Sequence, residues 1–135
     1  MKGILLASHG RMAEGVLDTL HIFSGELPQI QVLCLLPGED MADFLANMEA
    51  AIQEVDSGDG VVIFCDLLFG SPCNCAARLL KEEAYQDRLQ VVTGMNLAMV
   101  LEYVGTREAG MPSAEIVTTG QTGIVDLNAM MAARS

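Results

Sequence analysis

The sequence has few aromatic residues and few positive charges, and both shortages narrow the possible classes of protein. Only 4% of the residues are aromatic and tryptophan is absent, so the core must be built from aliphatic side chains. Seven lysines and arginines stand against 18 acidic residues, which gives a net charge of -11. A nucleic-acid-binding protein needs a basic face to displace counterions from phosphates. The charge therefore argues against nucleic acid as a partner.

The chain also has no long apolar run. No segment approaches the ~20 apolar residues of a membrane span, and the opening apolar stretch is too short for a signal peptide. We therefore expect a cytoplasmic protein whose cysteines are thiols. Cys73 and Cys75 form a C-x-C pair, but neither histidine extends it into a familiar metal-ligand spacing. No metal and no other cofactor is predicted.

Familiar nucleotide and hydrolase motifs are missing as well. The sequence contains no G-x-x-x-x-G-K-[ST] loop and no G-x-G-x-x-G, so nucleotide hydrolysis and dinucleotide binding have no support. It also contains no G-x-S-x-G nucleophile elbow.

Apolar runs alternate with segments of helical periodicity along the chain, and this alternation predicts an α/β fold with a parallel sheet covered by helices. A length of 135 residues fits one domain, residues 1–135. The predicted strands are 3–7, 31–35, 61–65 and 89–93. The predicted helices are 11–23, 41–55, a third from residue 71 and a fourth over 96–104. In the third, Ser71 is the predicted capping hydroxyl and Pro72 the first helical residue. The tail is ambiguous: 115–119 has strand propensity although Pro112 and Ser113 can open a helix, and 124–127 is a second short candidate strand.

Two predicted strands end in residues that carry chemistry. The first ends in Ser8-His9-Gly10, and the third is followed by Asp66. In an open parallel sheet, ligands bind at the carboxyl ends of the strands. If these strands are neighbours, a carboxylate on one ring nitrogen of His9 fixes the tautomer and leaves the other nitrogen as a nucleophile. We therefore take His9 and Asp66 as candidate catalytic residues.

A phosphoryl group on such a histidine needs hydrogen-bond donors close by. Gly10 and Gly70 allow the backbone to approach a ligand closely, and helices that start after these loops offer free N–H groups. Ser71 adds a hydroxyl, so the candidate phosphate-binding residues are Gly10, Gly70 and Ser71. Plainer interpretations stay open: His9 as a loop residue, Asp66 as a turn cap and Ser71 with Pro72 as a helix start only.

These residues resemble the mannose-type enzyme IIA family of the bacterial phosphoenolpyruvate-dependent sugar phosphotransferase system. The resemblance runs along nearly the whole chain, through the segments ILLASHGRMAEGVLDTL, LLPGEDMADF, VVIFCDLLFGSPCNCAARL, VVTGMNLAMVLE and TTGQTGIVDL. Two positions depart from the family pattern. Phe69 stands where many relatives have a first glycine, and Ala98 stands in place of a proline.

The resemblance implies a cytoplasmic phosphotransferase that works as a phosphocarrier. His9 would accept a phosphoryl group from phospho-HPr and pass it to a separate enzyme IIB, with membrane IIC and IID components involved indirectly. Asp66 would orient His9, while Gly70 and Ser71 would line the phosphate site. The alternatives are a regulatory module without onward transfer and an anion-binding module of flavodoxin-like fold.

The resemblance also sharpens the expected fold. It implies a flavodoxin-like doubly wound sheet of four parallel strands, with a C-terminal antiparallel strand near 124–127 exchanged in a homodimer. That arrangement favours a helix near 113–119 over the strand that propensity alone predicts.

Overall fold

The computed structural model describes residues 1–134 and contains a parallel sheet of four strands between two layers of helices. In chain order the elements are β1 (Gly3–His9), α1 (Met12–Ser24), β2 (Ile30–Leu35), α2 (Met41–Val55), β3 (Val61–Cys65), α3 (Ser71–Leu80), β4 (Leu89–Val92), α4 (Leu97–Gly105), α5 (Ser113–Thr122) and α6 (Leu127–Ala132). A short 3-10 turn, Glu83–Tyr85, precedes β4. Within residues 1–134, no helix is both long enough and apolar enough to span a bilayer.

The strand order is β2-β1-β3-β4, and every neighbouring pair is parallel. Strands β1 and β3 are therefore adjacent, as the proposed site requires, with Ala7 opposite Cys65 in the register. Since the chain continues from each strand at the same edge, the residues that follow Ala7 and Cys65 are brought together.

The two central strands are buried on both faces, which explains their continuous apolar sequences. Alternate side chains point to opposite sides of a strand. Leu5 and Ile63 accordingly pack with α2 and α3 on one face. Ile4 and Phe64 pack with α1, α4 and α5 on the other. This double covering confirms the predicted doubly wound architecture.

Helix α2 and strand β3 begin and end where the sequence predicts, because their local signals agree with their packing. The Asp40 carboxylate caps α2 by accepting from the backbone N–H groups of Ala42 and Asp43. Phe44 and Met48 belong to the buried stripe of the same helix. Other boundaries differ from the predicted ones by a residue or two, as is usual for element ends.

The tail contains the helix that the resemblance implies but not the predicted fifth strand. Residues 113–122 form helix α5, which confirms the helix that the family resemblance favours over the strand that propensity alone suggests for 115–119. Ile116 on α5 is fully buried, so packing outweighs β-branched propensity there. Residues 124–126 form no strand and Leu127 begins α6, so the predicted fifth strand is not part of this chain's own sheet. A strand needs an edge with which to exchange backbone hydrogen bonds, and 124–126 meet none within residues 1–134.

Candidate functional site

His9 and Asp66 meet at the carboxyl edge of the sheet. His9 is the last residue of β1, and Asp66 directly follows β3. The backbone N–H of Asp66 donates to the carbonyl of Ala7 at 3.3 Å, which continues the pairing of the two strands by one residue. The juxtaposition that the sequence predicted is therefore a direct product of strand order.

One carboxylate oxygen holds both the ring and the backbone of His9. Asp66 Oδ2 lies 2.9 Å from His9 Nδ1 and 2.9 Å from the backbone nitrogen of His9. The other oxygen, Oδ1, accepts from the backbone N–H of Leu67 at 2.9 Å. Asp66 therefore fixes the imidazole relative to the strand that carries it. The His9 side chain is 43% exposed and that of Asp66 is 9% exposed, so the ring reaches solvent from a buried support.

Asp66 is held in its ionised form. Burial pulls the pKa of this carboxyl upward, but hydrogen bonds from the His9 backbone, the His9 ring and the Leu67 backbone outweigh it, and the pKa lies below its ordinary value. An ionised carboxylate only accepts hydrogen bonds, so Nδ1 of His9 must carry the proton. Nε2 is then the nitrogen with the free lone pair.

Gly70 lies directly against the free side of the imidazole. A Cβ atom at this position would stand 2.7 Å from Cε1 of His9 and 3.4 Å from Nε2. The backbone angles of Gly70 are ordinary, with φ -72 and ψ 168, so conformation does not require a glycine here. The close approach of the His9 ring does, because any side chain would push the ring away from Asp66.

Helix α3 starts beside the same nitrogen. Gly70 is its N-cap, no side chain caps it, and Ser71 and Pro72 are its first helical residues. The sequence-based assignment of Ser71 as the capping hydroxyl is therefore wrong, and Pro72 is the second helical residue. The first N–H groups of an uncapped helix are free to meet an anion, and the helix dipole favours negative charge there. Gly70 lies against the His9 ring and Ser71 follows it as the first helical residue, and their role in binding phosphate stays a prediction.

Helix α1 is arranged differently at its start, and Ser8 is the reason. The fully buried hydroxyl of Ser8 accepts from the backbone N–H of Ala13 at 2.8 Å and donates to the carbonyl of Gly10 at 3.2 Å. Gly10 has φ 56, in the left-handed region that favours glycine, and its N–H donates to the carbonyl of Leu35 at 2.7 Å. Ser8 thus fixes the turn behind His9. The sequence analysis assigned it no role, because a serine at a strand end gives no local sign of this contact.

Phe69 occupies an unusual backbone conformation next to the site. Its φ is 63, in the left-handed region, and its side chain is 77% exposed. A non-glycine residue there costs about 1 kcal/mol or more, which explains why a glycine suits this position. The side-chain amide of Asn74 donates to the Phe69 carbonyl at 3.1 Å and holds the turn.

Exposed apolar side chains lie near His9 on the loop after β2, at the start of α2 and on the loop after β3. We call this set the apolar rim; it consists of Leu36, Met41, Leu67, Leu68 and Phe69. A cavity of 410 Å³ opens next to it and is lined by both His9 and Glu39. A neighbouring groove of 490 Å³ between α2 and α3 shares Met41 with that cavity and is also lined by Ser71. Contiguous exposed apolar surface of this kind is typical of a docking face.

Arg11 and the cysteines each have an environment of their own. Arg11 is exposed and pairs with Glu14 at 3.2 Å. All four cysteines are free thiols; Cys73 is buried and Cys75 is half-buried. Burial raises the pKa of Cys65 to about 12, so this thiol next to Asp66 stays neutral. Within residues 1–134, no group of three or more histidine, cysteine or acidic side chains is placed to hold a metal ion.

Known proteins resemble this chain along most of its length. A family model described as the PTS system fructose IIA component, EIIA-man, matches residues 3–120. The PTS system mannose-specific EIIAB component of Escherichia coli K12 is 28% identical over 130 residues, which are 93% of this chain and 39% of that protein. The chain therefore spans less than half of that relative's length.

Two relatives of similar length also match. The putative phosphotransferase enzyme IIA component YadI of Escherichia coli K12 is 30% identical over 115 residues, which are 85% of this chain and 76% of that protein. The crystal structure of the PTS IIA protein associated with the fucose utilization operon of Streptococcus pneumoniae has a TM-score of 0.88 at 31% identity and covers 96% of both chains. Since the family model covers most of the sequence and the fold agrees, the chain belongs to the mannose-type enzyme IIA family of sugar phosphotransferase systems.

Proposed function

We propose that this protein is a cytoplasmic phosphocarrier that accepts a phosphoryl group from phospho-HPr on Nε2 of His9 and passes it to an enzyme IIB. The observation that carries the proposal is that the two ring nitrogens of His9 have different surroundings. Nδ1 is bound by Asp66 at 2.9 Å, while Nε2 faces the uncapped start of α3.

The transfer can proceed without moving a proton. The lone pair of Nε2 attacks phosphorus, the bond between phosphorus and the donor atom breaks, and the electron pair of that bond stays with the donor. His9 keeps its proton on Nδ1 throughout and becomes a positively charged phosphoimidazole ring. Catalysis then consists mainly of positioning and charge stabilisation, as is usual in phosphoryl transfer.

The surrounding groups suit both charges that arise. The Asp66 carboxylate faces Nδ1–H and stabilises the positive ring, by the logic of the aspartate in a hydrolase triad. In the proposed complex the N–H groups at the start of α3, which no side chain among residues 1–134 caps, and the hydroxyl of Ser71 would donate to the phosphoryl oxygens. Gly10 and Gly70 complete the proposed phosphate site by leaving space beside the ring.

Protein partners, not a small substrate, fit the surface around His9. The apolar rim surrounds an exposed histidine and offers area for docking HPr and then IIB, with IIC and IID downstream. A homodimer is part of the proposal, because Ile124, Val125 and Leu127 in the tail are exposed apolar side chains. A second copy would cover them by the strand exchange that the family resemblance implies.

Phosphorylation in a reconstituted system tests the proposal. The protein is incubated with phosphoenolpyruvate, enzyme I and HPr, and its intact mass and acid lability are recorded. We expect one phosphoryl group, lost in acid, on the wild type and none on His9→Ala. The matched control is His21→Ala, because His21 is the other histidine and lies exposed on α1. Phosphorylation of His9→Ala, or none of the folded wild type, would contradict the proposal.

The same preparation separates the alternatives. Phospho-protein mixed with an enzyme IIB of the mannose type should lose its label to IIB. A stable label in the presence of IIB would favour a regulatory module. An unlabelled wild type that binds free phosphate would favour the anion-binding interpretation.

A further inference from the structure

The groove between α2 and α3, which we call the α2–α3 groove, has two walls of different character. It has a volume of 490 Å³, and each helix contributes one face to it. The wall from α3 carries polar residues spaced by three and four positions, as a single helix face requires: Ser71, Asn74, Cys75 and Arg78. The wall from α2 is apolar and consists of Met41, Ala42 and Leu45.

Arg78 is the only charged residue among those that line the α2–α3 groove. Its side chain is exposed, and within residues 1–134 its guanidinium has no ion pair and no hydrogen bond. Burial raises the pKa of the Cys75 thiol and the charge of Arg78 partly offsets that rise, so the guanidinium lies near the polar wall. Three other arginines are engaged: Arg11 and Arg88 with acidic side chains, and Arg107 with backbone carbonyls. The Arg78 cation is therefore available to an anion from outside the chain.

The shape of the groove suits a segment of another protein better than a small molecule. Arg78, Asn74 and Met41 are all exposed, so the groove is open to solvent along both walls. A small-molecule site buries most of its ligand. An open channel between two helices instead accepts a peptide segment that lies along it with its apolar face inward.

The α2–α3 groove is continuous with the site of His9. Its residue Ser71 directly follows Gly70, which lies against the His9 ring, and its residue Met41 also lines the His9 cavity. Arg78 is on the same helix as Ser71, about 10 Å further along the axis. A protein whose reacting atom meets Nε2 of His9 can therefore cover the groove at the same time. It would reach Arg78 with a group that lies about 10 Å from its reacting atom.

We propose that the α2–α3 groove binds the enzyme IIB acceptor, which places a carboxylate on Arg78 and apolar side chains against Met41 and Leu45. This inference rests on the proposed function. A guanidinium and a carboxylate form charge-assisted hydrogen bonds in a planar, two-pronged geometry that a lysine cannot reproduce. The apolar wall adds the burial of apolar surface. The groove thus recognises an aspartate or glutamate that lies among apolar residues of the partner.

Charge favours the acceptor over the donor as the occupant. The donor arrives with a phosphoryl group of about two negative charges, and it meets a protein with a net charge of -11. A carboxylate on the docking face of the donor would add to that repulsion. The acceptor arrives without a phosphoryl group, so a carboxylate adds less repulsion to its approach. The contact with Arg78 would also distinguish the acceptor from the donor, although both must meet the same nitrogen.

The kinetic test compares Arg78→Gln with Lys81→Gln in transfer from the phospho-protein to an enzyme IIB of the mannose type. Lys81 is exposed directly after α3 and outside the groove, so the control makes the same charge change close by. We expect Arg78→Gln to lower kcat/KM about fivefold by raising KM, with kcat unchanged and a weaker salt dependence. Arg78→Glu should lower kcat/KM further, and Arg78→Lys should recover only part of it. Lys81→Gln should change neither KM nor the salt dependence.

Modification of Cys75 tests whether the groove is occupied, without any phosphoryl transfer. Cys75 is half-buried and lines the groove, whereas the half-buried Cys34 on β2 lies elsewhere and serves as the internal control. Saturating enzyme IIB should slow the reaction of N-ethylmaleimide with Cys75 and leave its reaction with Cys34 unchanged.

Thermal unfolding separates a docking role of Arg78 from a structural one. Because its guanidinium has no partner within residues 1–134, Arg78→Gln should leave Tm within about 2 °C of the wild type. A larger fall in Tm would mean that Arg78 serves the fold, and would overturn the inference.

The outcomes are distinguishable from failure of the phosphocarrier proposal. Unchanged transfer to IIB in Arg78→Gln and Arg78→Glu, or an equal reaction of Cys75 with and without IIB, would overturn this inference alone. Variants of Arg78 that slow loading from phospho-HPr but not transfer to IIB would overturn the assignment to the acceptor. A folded wild type that takes no label would contradict the phosphocarrier proposal, whereas protection of Cys75 by IIB would still support the groove as its docking site.

Discussion

Each end of the sheet has a strained residue nearby, and the two ends restrain that residue to different degrees. At the amino end Gln29, just before β2, has φ 55, and at the carboxyl end Phe69, just before α3, has φ 63. Both are non-glycine residues in the left-handed region, where each costs about 1 kcal/mol or more. Their surroundings differ in nearly every other way.

The amino end is secured by hydrogen bonds. The Gln29 side-chain amide donates to the carbonyl of Val55 at 2.9 Å, and the Gln29 carbonyl accepts from Arg107 at 2.8 Å and from the backbone N–H of Ile4 at 2.9 Å. Arg107 is only 5% exposed and also donates to the carbonyls of Lys2 and Pro28. Its guanidinium therefore joins the starts of β1 and β2.

The carboxyl end has fewer such restraints. The Phe69 side chain extends into solvent and only its carbonyl is held, by Asn74. Among the described residues 1–134, no donor reaches the buried Glu39 Oε2 and no side chain caps α3. Strain occurs at both ends, since Gln29 is as strained as Phe69, so the difference lies in how the two residues are restrained. The comparison therefore indicates one end built to hold the sheet together and another built to meet a partner.

The largest effect that we predict is at the amino end. Arg107→Met should lower the free energy of unfolding by about 3 kcal/mol or more, because charge-assisted hydrogen bonds to several backbone carbonyls are lost. Urea unfolding measures the change, with the exposed, ion-paired Arg11→Met as control, for which we expect about 0.5 kcal/mol or less. Equal losses in the two variants would break the contrast between the ends.

A smaller loss of stability but a large loss of activity is expected at Gly70. In Gly70→Ala the new Cβ would meet His9 Cε1 at 2.7 Å, so the ring must leave Asp66 or the loop must shift. We expect transfer to His9 to slow by about 100-fold and the free energy of unfolding to fall by about 1–3 kcal/mol. The control is Gly15→Ala, which meets open space on α1 and should stabilise the helix by up to about 1 kcal/mol. A Gly70→Ala protein labelled at the wild-type rate would refute the steric argument.

The smallest predicted effects are those of replacing the two strained residues, Phe69 and Gln29, by glycine, and they test the difference between the two ends directly. Phe69→Gly should raise the free energy of unfolding by about 1 kcal/mol, since it relieves strain and removes a side chain that buries little. Gln29→Gly relieves the same strain but loses the side-chain bond to Val55, so it should lower stability. Differential scanning calorimetry of both variants gives the two signs. If both variants change stability in the same direction, the two ends do not differ in the way described.

Much of the fold could be predicted because local and long-range signals agree. The apolar run of β3 and the Asp40 cap of α2 specify their elements without outside help. The tail could not be predicted from propensity, because Ile116 is helical only in the context of its burial against the sheet. The predicted cap of α3 failed for a similar reason: backbone geometry placed the cap one residue earlier, at Gly70.

The candidate site also combines features that the sequence predicts with features that only the folded structure shows. His9 and Asp66 could be found because both follow apolar strands, and parallel strands bring such positions to one edge. The close contact between Gly70 and the His9 ring, the hydroxyl of Ser8 under Ala13 and the orphan oxygen of Glu39 all depend on distances between separate loops. No pattern along the chain encodes those distances.

Asp66 Oδ2 binds both the ring and the backbone of His9, and this has a consequence for a residue that reacts repeatedly. A side chain that must be ordered for each reaction loses rotamer freedom every time, but this imidazole loses it once, when the chain folds. In the proposed cycle the ring is filled by one protein and emptied by another of different shape. Both proteins would meet Nε2 in the same rigid orientation. Phosphoryl transfer to His9 and from His9 would then share one geometry, so transfer would be reversible.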